Sequence, residues 1–553
     1  MRLSEVTVKF FRFSDIIQKS FAMKTIYSFL LFSNVIFCQL RAQVNSTQLE
    51  HNNVSAHISD AGTYFTNFVN AEPRYEVPKG SGLNPIFATQ FWFAGKDALN
   101  NIHFCQGGSP NQGKDVFNGP FSGVGTYSTN DYQNAWNNSM WSLCQTDIDQ
   151  YKLWWGCQNG LITTGCGSVS PPSNEVLQTI FDWPAHGDVS VGQSYYLAPF
   201  FDYDADGNYD PNQGDYPIIK GCCATYLIQN DVAQSHSYSG TDSIGIELHL
   251  MFYQYQTFDY LNDVTFIDVK AINRGSTNYP EFVHSIYVDV DLGYYADDLI
   301  GCDSIKNLMY FYNGDNNDEA SFSSLGYGID PPAIGIVSLK EDMTSSAYYM
   351  NGGGNAISEK WNIMNGLQFS GDPWLDPTGN ETSYVYSGNP NIPTEWCEIS
   401  NGNPPGDRRG VSSLNVGPFN SGDTLFQTYA ISYSRVGNNL ENVQSIIDLA
   451  GALKTFYDNE SDIPCQNGTW NVNEIQTLEL TIAPNPAINE LNIESSSLIE
   501  QLEIYDLTGR SLAKYTGIQS THFEVDCRFL HSGNYLVKVS SEGKTAVRQV
   551  RVK

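Results

Sequence analysis

Apolar and polar residues alternate with a period of two along much of this chain, the signature of strands with one buried face. In the middle of the chain, residues 245–253, 263–272, 282–290 and 425–433 read this way. Near the C-terminus the same pattern recurs at 478–482, 490–493, 501–505, 534–539 and 546–552. Turns separate these last runs at Pro484-Asn485-Pro486, Thr508-Gly509, Ser532-Gly533 and Glu542-Gly543. One segment has the other period. Val443, Ile446, Ile447, Ala450, Leu453 and Tyr457 recur at spacings of three and four behind a capping Asn438 or Asn439. This predicts one long helix near 439–458, packed on a sheet. The expected fold is all-β: a sandwich-like body with that helix, and a small C-terminal immunoglobulin-like β-sandwich.

Composition agrees. Of 553 residues, 13% are aromatic and 41% hydrophobic, with 47 Gly and 24 Pro, which suits a turn-rich β protein and not a disordered acidic chain. The net charge is −31. Such an acid excess argues against nucleic acid and against an anionic membrane surface as partners. It is unevenly spread. Residues 44–476 carry 49 acidic side chains against 15 basic ones, whereas 477–553 carry nine against eight. That step marks a domain boundary near 471–477, dividing an acidic β-rich extracellular body at 43–470 from a tail at 471–553.

The first residues read as an address. Met23-Lys24 precedes an apolar run at 26–38, followed by Leu40-Arg41-Ala42. A basic start, a short apolar stretch and a small residue before the cut describe a secretory signal peptide at 23–42. Residues 1–22 then form an upstream extension, with translation starting at Met23, or else the signal is unusually long. No run is long enough for a transmembrane helix. Setting Cys38 aside, ten cysteines remain. In an oxidising compartment an even count suggests disulfides; buried free thiols and a metal site are the alternatives. Cys157 and Cys166 are the best local pair, and the adjacent Cys222 and Cys223 would each need a distant partner or stay free.

The tail carries a resemblance. Pro484-Asn485-Pro486, then Tyr505-Asp506-Leu507-Thr508-Gly509-Arg510, then Gly533-Asn534-Tyr535-Leu536-Val537-Lys538 resemble the type A C-terminal sorting domain of the type IX secretion system. The resemblance implies passage through the outer membrane, partnership with the translocon and a sortase-like peptidase, and release or attachment to surface glycolipid. Phrases in the body, among them Phe91-Trp92-Phe93-Ala94-Gly95, Trp183-Pro184-Ala185-His186-Gly187-Asp188 and Gly406-Asp407-Arg408-Arg409, resemble large secreted surface proteins of Bacteroidota with the same tail. That resemblance implies surface export and carries over no activity.

The sharpest local chemistry is Asp202-Tyr203-Asp204-Ala205-Asp206-Gly207-Asn208-Tyr209-Asp210. Carboxylates at every second position followed by Gly aim several oxygens at one point, and calcium takes six to eight hard oxygen donors. Asp202, Asp204 and Asp206 fill the first, third and fifth places, Asn208 offers its carbonyl, Asp210 takes the ninth, and Asp215 stands in for the usual terminal Glu. Prolines at 211 and 217 argue against flanking helices, so this is a calcium loop without the helix pair. A second candidate is Asp289, Asp291, Asp297, Asp298 and Asp303, with no Lys or Arg among them; a solvated loop or catalytic acids are its alternatives. Asn313-Gly314-Asp315-Asn316-Asn317-Asp318 is a weaker third.

No HExxH, GxSxG or P-loop occurs. His186 beside Asp188 could act as a base, but an isolated turn histidine is more often structural. Trp154-Trp155, Trp136 and Trp141 could stack on sugars, with core packing as the default. The expected function is a calcium-stabilised structural or adhesive surface protein exported by type IX secretion. A secreted glycan or peptide hydrolase using acids near Asp297, or a carbohydrate-binding protein, is the alternative.

Overall fold

The computed structural model describes residues 44–109, 112–320, 325–459, 465, 480–506, 511–530, 533–541 and 544–553. The expected signal peptide, the boundary at 471–477, and Gly509 and Arg510 of the tail motif lie outside the described residues. The chain divides into two compact units between Asn467 and Gly468.

The first unit is built on two nine-stranded antiparallel sheets. One runs in the order Ser46–Leu49, Ser55–Ser59, Tyr75–Glu76, Ile86–Lys96, Tyr279–Val290, Arg408–Phe419, Ser345–Met350. The other runs Met140–Cys144, Cys223–Asn230, Ile246–Gln254, Val264–Asn273, Thr424–Ser434, Ala333–Ser338, Leu308–Asn313, Asp298–Asp303. The expected body strands all form: two are shifted by one residue, to Ile246–Gln254 and Val264–Asn273, and two are longer, at Tyr279–Val290 and Thr424–Ser434. Side chains from both sheets share one core. Tyr64 of the first sheet meets Phe252 of the second at 4.8 Å between ring centroids, and Phe91 stacks near Tyr429 at 5.9 Å.

The second sheet is covered on its other face as well. The helix Asn439–Asp458 lays Val443, Ile446, Ile447, Ala450 and Leu453 on it, all buried. Asn438 caps that helix, accepting from the Leu440 and Glu441 N–H groups at 3.1 and 3.0 Å, and Glu441 Oε2 returns the bond at 2.9 Å. Double coverage explains why Ile246–Gln254 and Cys223–Asn230 are buried at every position. Three further helices, Asn130–Trp136, Gln145–Gln158 and Asn174–Phe181, help cover the same face. They escape a periodicity reading because they are short or present few buried side chains: only Ile148, Tyr151 and Gly156 in Gln145–Gln158. Trp136 and Trp141 belong to this outer core.

Three disulfides join Cys144 to Cys223, Cys157 to Cys166 and Cys222 to Cys465. The local pair is the expected one, and Cys222 and Cys223 each find a distant partner. The Cys222–Cys465 bond spans 243 residues and ties the segment beyond the long helix to the start of a central strand. Cys105, Cys302, Cys397 and Cys527 are buried free thiols.

The second unit is a five-stranded antiparallel sheet of Leu480–Ala483, Glu490–Asp506, Ser511–Asp526, Gly533–Ser541 and Lys544–Val552. The runs expected at 490–493 and 501–505 are one long strand, irregular in register between Glu494 and Gln501. Leu491, Ile493, Leu502, Ile504, Val537 and Val539 form its core at alternate positions. Cys527 sits in that core as a small apolar side chain. No helix among the described residues is long and apolar enough to cross a membrane.

Leu453 is fully buried where the long helix meets the second sheet. Truncation to Ala should destabilise the body by about 2–5 kcal/mol in chemical denaturation. A loss well under about 1 kcal/mol would mean that the helix does not hold the sheet.

Candidate functional site

The loop 202–215 is clamped at its base, where Phe200–Phe201 pairs with Tyr216–Pro217. Asp215 is 1% exposed. Its two carboxylate oxygens accept from the backbone N–H groups of Tyr203 and Asp210, each at 2.8 Å. Asp202 accepts from Gly207 N–H at 2.8 Å, and Gly207 holds φ +82°, which glycine adopts without strain. One oxygen from each of Asp202, Asp204 and Asp215 lies within 4.8 Å of the others. The other expected donors are engaged in the turn. Asp206 accepts from Asn208 N–H at 2.7 Å and Asp210 from Asn212 N–H at 2.9 Å; at Asn208 it is the side-chain amide oxygen, not the expected backbone carbonyl, that accepts from the Tyr195 hydroxyl. Burial, with Asp206, Asp202 and Asp215 close by, holds Asp204 above the usual carboxylate range.

His186 organises this loop. Its Nε2 accepts from Tyr209 N–H at 2.8 Å, and Nδ1 donates to the Tyr195 carbonyl at 3.1 Å. Asp188 accepts from Ser190 instead, so the two residues do not form a base and its orienter. Trp155 donates to the Asn212 carbonyl at 3.0 Å and meets Tyr203 edge-on. It packs against the loop.

The second candidate separates in space. Asp289 pairs with Arg409 Nε at 3.0 Å and accepts from Tyr287. Asp303 accepts from Ile305 and Lys306 N–H groups in a turn. Asp291, Asp297 and Asp298 remain as an acidic group, and Asp318 and Asn313 of the third candidate join it. Pairing of Asp298–Asp303 with Leu308–Asn313 sets Asp298 directly opposite Asn313. Gly293, at φ +81°, brings its backbone so close to Asp318 that a Cβ would lie 2.0 Å from a carboxylate oxygen. Asp298 is fully buried; one oxygen accepts from Leu292 N–H at 3.2 Å and the other has no partner. Neither buried oxygen of Asp297 nor the Asn313 amide nitrogen makes a well-formed hydrogen bond among the described residues, although Asn313 lies near enough to favour the ionised Asp297.

The electrostatic consequence is large. Burial, reinforced by Asp289 and Asp407, pushes Asp291 up to about 8. Burial, with Asp318 and Glu319 near, brings Asp297 to about 7. Burial and Asp297 drive Asp298 well above the carboxylate range, and burial raises Asp318 to about 6. Carboxylates so placed either hold protons or need a cation.

Two other groupings hold no metal-ready donors. His51 faces Cys144 and Cys223, which are bonded to each other. The buried His236 near Cys105 and Asp231 directs both ring nitrogens at carbonyl oxygens, those of Phe104 and Asp231, at 2.9 and 2.8 Å.

A cleft of about 490 Å³ opens on the outer face of the first sheet, lined by Trp92, Tyr287, Tyr349, Asp289, Arg409 and Lys360 among others. The Trp92 and Tyr287 rings stack 4.7 Å apart at 9°, with Tyr349 next in the row at 6.2 Å. The sequence reading passed over this site. Lys360 lies on a short helix far along the chain from Trp92, and only strand pairing assembles the wall.

The family described as the secretion system C-terminal sorting domain matches residues 481–553. This is the type IX sorting domain, and it indicates export to the outer surface or the medium through interaction with that secretion system. Among curated proteins, none matches the chain. Among solved structures, a polysaccharide lyase is similar at 8% identity and TM-score 0.17, over 55% of this chain and 34% of the lyase. The BSP domain of a biofilm-associated protein is similar at 10% identity and TM-score 0.13, over 60% of this chain and 59% of that one. The CBM51-2 and INT domains of Clostridium perfringens ZmpB follow at 8% and 0.10, over 58% and 95%. Likenesses this weak carry no argument about fold or activity.

Asp291, Asp297, Asp298 and Asp318 bind protons more tightly folded than unfolded. Their contribution to metal-free stability is full below about pH 4 and is lost as pH rises through about 6–8. Chelator-treated protein should therefore melt lower at about pH 8 than at about pH 5.5. Equal melting temperatures would mean that these oxygens are neutralised in some other way.

Proposed function

We propose that the exported body is a calcium-stabilised structural or adhesive component of the cell surface. The observation that carries this reading is the group of buried, unpartnered carboxylate oxygens of Asp297 and Asp298 beside Asp318 and Asn313. Hard anionic oxygens shielded from water are what a calcium ion takes up. The loop of Asp202, Asp204 and Asp215 offers a second, more open site, with Asp206, Asn208 and Asp210 supporting its turn. Calcium in these places stiffens an acidic body that would otherwise repel itself. Outside the cell, where calcium is abundant, such a body serves as a durable surface layer or tether. A sortase-like peptidase that removes the tail and a surface glycolipid that receives the body complete the expected set of partners.

The hydrolase alternative calls for two carboxylates across an open cleft. Asp289 is the one carboxylate among the described lining residues of the 490 Å³ cleft, while Asp297 and Asp298 keep their oxygens buried. That arrangement favours binding over glycoside cleavage.

Calcium at about a hundred times its dissociation constant contributes about 2.7 kcal/mol. Chelation of the purified full chain should lower the melting temperature by several degrees, and calcium should restore it; an unchanged melt would falsify the calcium reading. Asp298→Asn keeps the shape and removes one charge. It should melt at or above the native protein without calcium and gain less than the native protein when calcium is added. An undiminished gain would place the ion elsewhere.

A further inference from the structure

Among the described residues, Lys360 is the one charged side chain lining the cleft that lacks an ion-pair partner. It belongs to the helix Ile357–Met364, which lies on the outer face of the first sheet, and is 8% exposed. Its ammonium donates to Gln106 Oε1 at 2.6 Å and sits 5.1–5.4 Å from the ring centroids of Trp92, Phe104 and Tyr238. No carboxylate reaches it within ion-pair distance among the described residues. Asp115, the nearest source of negative potential, is committed to the Tyr238 and Ser239 N–H groups at 3.0–3.2 Å. Burial accordingly lowers Lys360 to about 8. The other cation of the cleft, Arg409, is already held by Asp289 at 3.0 Å and by Asn351 at 2.9 Å.

A desolvated ammonium that lines a cavity, with one hydrogen-bond acceptor and no carboxylate partner, is suited to an anion. It stands out in a chain of net charge −31. Ser109, Gln112, Asn351 and Asn355 contribute neutral hydroxyl and amide groups to the lining, beside the apolar Phe87, Trp92 and Ile357. Gly353 at the rim packs its backbone against the Phe369 ring, where a Cβ would lie 2.4 Å away. At about 490 Å³ the cleft is the size of a small-ligand pocket, larger than a single free amino acid fills.

We propose that this cleft binds a carboxylated saccharide, with the sugar carboxylate on Lys360 and the hydroxyls on the neutral side chains around it. One spare ammonium matches one negative charge. A sugar phosphate would bring a second charge toward Asp289. The proposal rests on the surface-adhesive reading above for its setting, and gives that reading a ligand; it does not depend on the calcium sites.

The test is calorimetric titration of the calcium-saturated full chain with cellobiouronate, a disaccharide with a single carboxylate, and with its methyl ester, which keeps the hydroxyls and removes the charge. The acid should bind at least about tenfold tighter than the ester. In Lys360→Met, which keeps the aliphatic stem, the acid and ester should bind alike. Comparable binding of both to the native protein, binding of neither, preference for galactose 6-phosphate, or an acid preference that survives in Lys360→Met would each overturn the proposal. The acid–ester comparison needs no variant, so it stands even if Lys360→Met fails to fold. An unchanged melt on chelation together with a retained acid preference would remove the calcium reading and leave this one.

Discussion

Glu247 enters the second sheet at a position where both faces are covered and no water reaches it. It is answered three times: by His249 Nε2 at 3.0 Å, by Arg274 at 2.9 Å and by the Phe121 N–H at 2.9 Å. Burial opposes its ionisation, and these partners outweigh burial, holding it below the usual range. The same demand recurs across the body. Asp231 accepts from three consecutive N–H groups, Ile244 to Ile246. Glu398 meets Arg408 at 3.1 Å with both side chains buried. A charge taken into a sheet sandwiched between two apolar layers must be matched, because the cost of leaving it alone exceeds what most single contacts return.

That constraint gives the acidic group around Asp297 and Asp298 its meaning. Asp298 has the burial of Glu247 without its donors, and the half-buried Asp297 turns both oxygens away from solvent. The protein interior supplies backbone N–H groups to one oxygen of Asp298 and to Asp318, and then stops. Gly293 lets the chain close tightly around Asp318, so the crowding of oxygens is built into the backbone path. At the loop 202–215 three carboxylate oxygens lie within 4.8 Å of one another, but the site is more open, and hydrogen bonds to the turn absorb part of the charge. The two places differ in how strongly each needs a cation. On the proposed calcium reading, an ion at the buried place would be coupled to folding of the hairpin Asp298–Asn313, and one at the open place to the shape of a surface loop.

The cleft follows the opposite rule. There the unmatched charge is positive and beside open space, so that a ligand rather than an ion can meet it. An acidic body thus carries one cationic spot on the outer face of its first sheet. On a protein bound for the surface, the proposed role of that spot is to select a ligand.

Much of this was legible in the residues themselves. Period-two alternation located the strands of both units, because one buried face is enough to impose it. The stripe from Val443 to Leu453 and the Asn438 cap located the long helix. The tail motifs announced the sorting domain, since they are local and ordered. The loop at 202–210 was visible because its donors are consecutive. Strand pairing and burial decided the rest. Asp289 and Asp303 left the second acidic group while Asp318 and Asn313 entered it, because ladder register, not distance along the chain, sets which carboxylates meet. Lys360 came to stand beside Trp92 and Gln106 across more than two hundred residues, a neighbourhood that no local pattern encodes. Sequence determines which side chains must be buried and which bear charge. Only the closed sandwich determines which buried charges find partners, because a partner is a matter of a few ångströms in three dimensions.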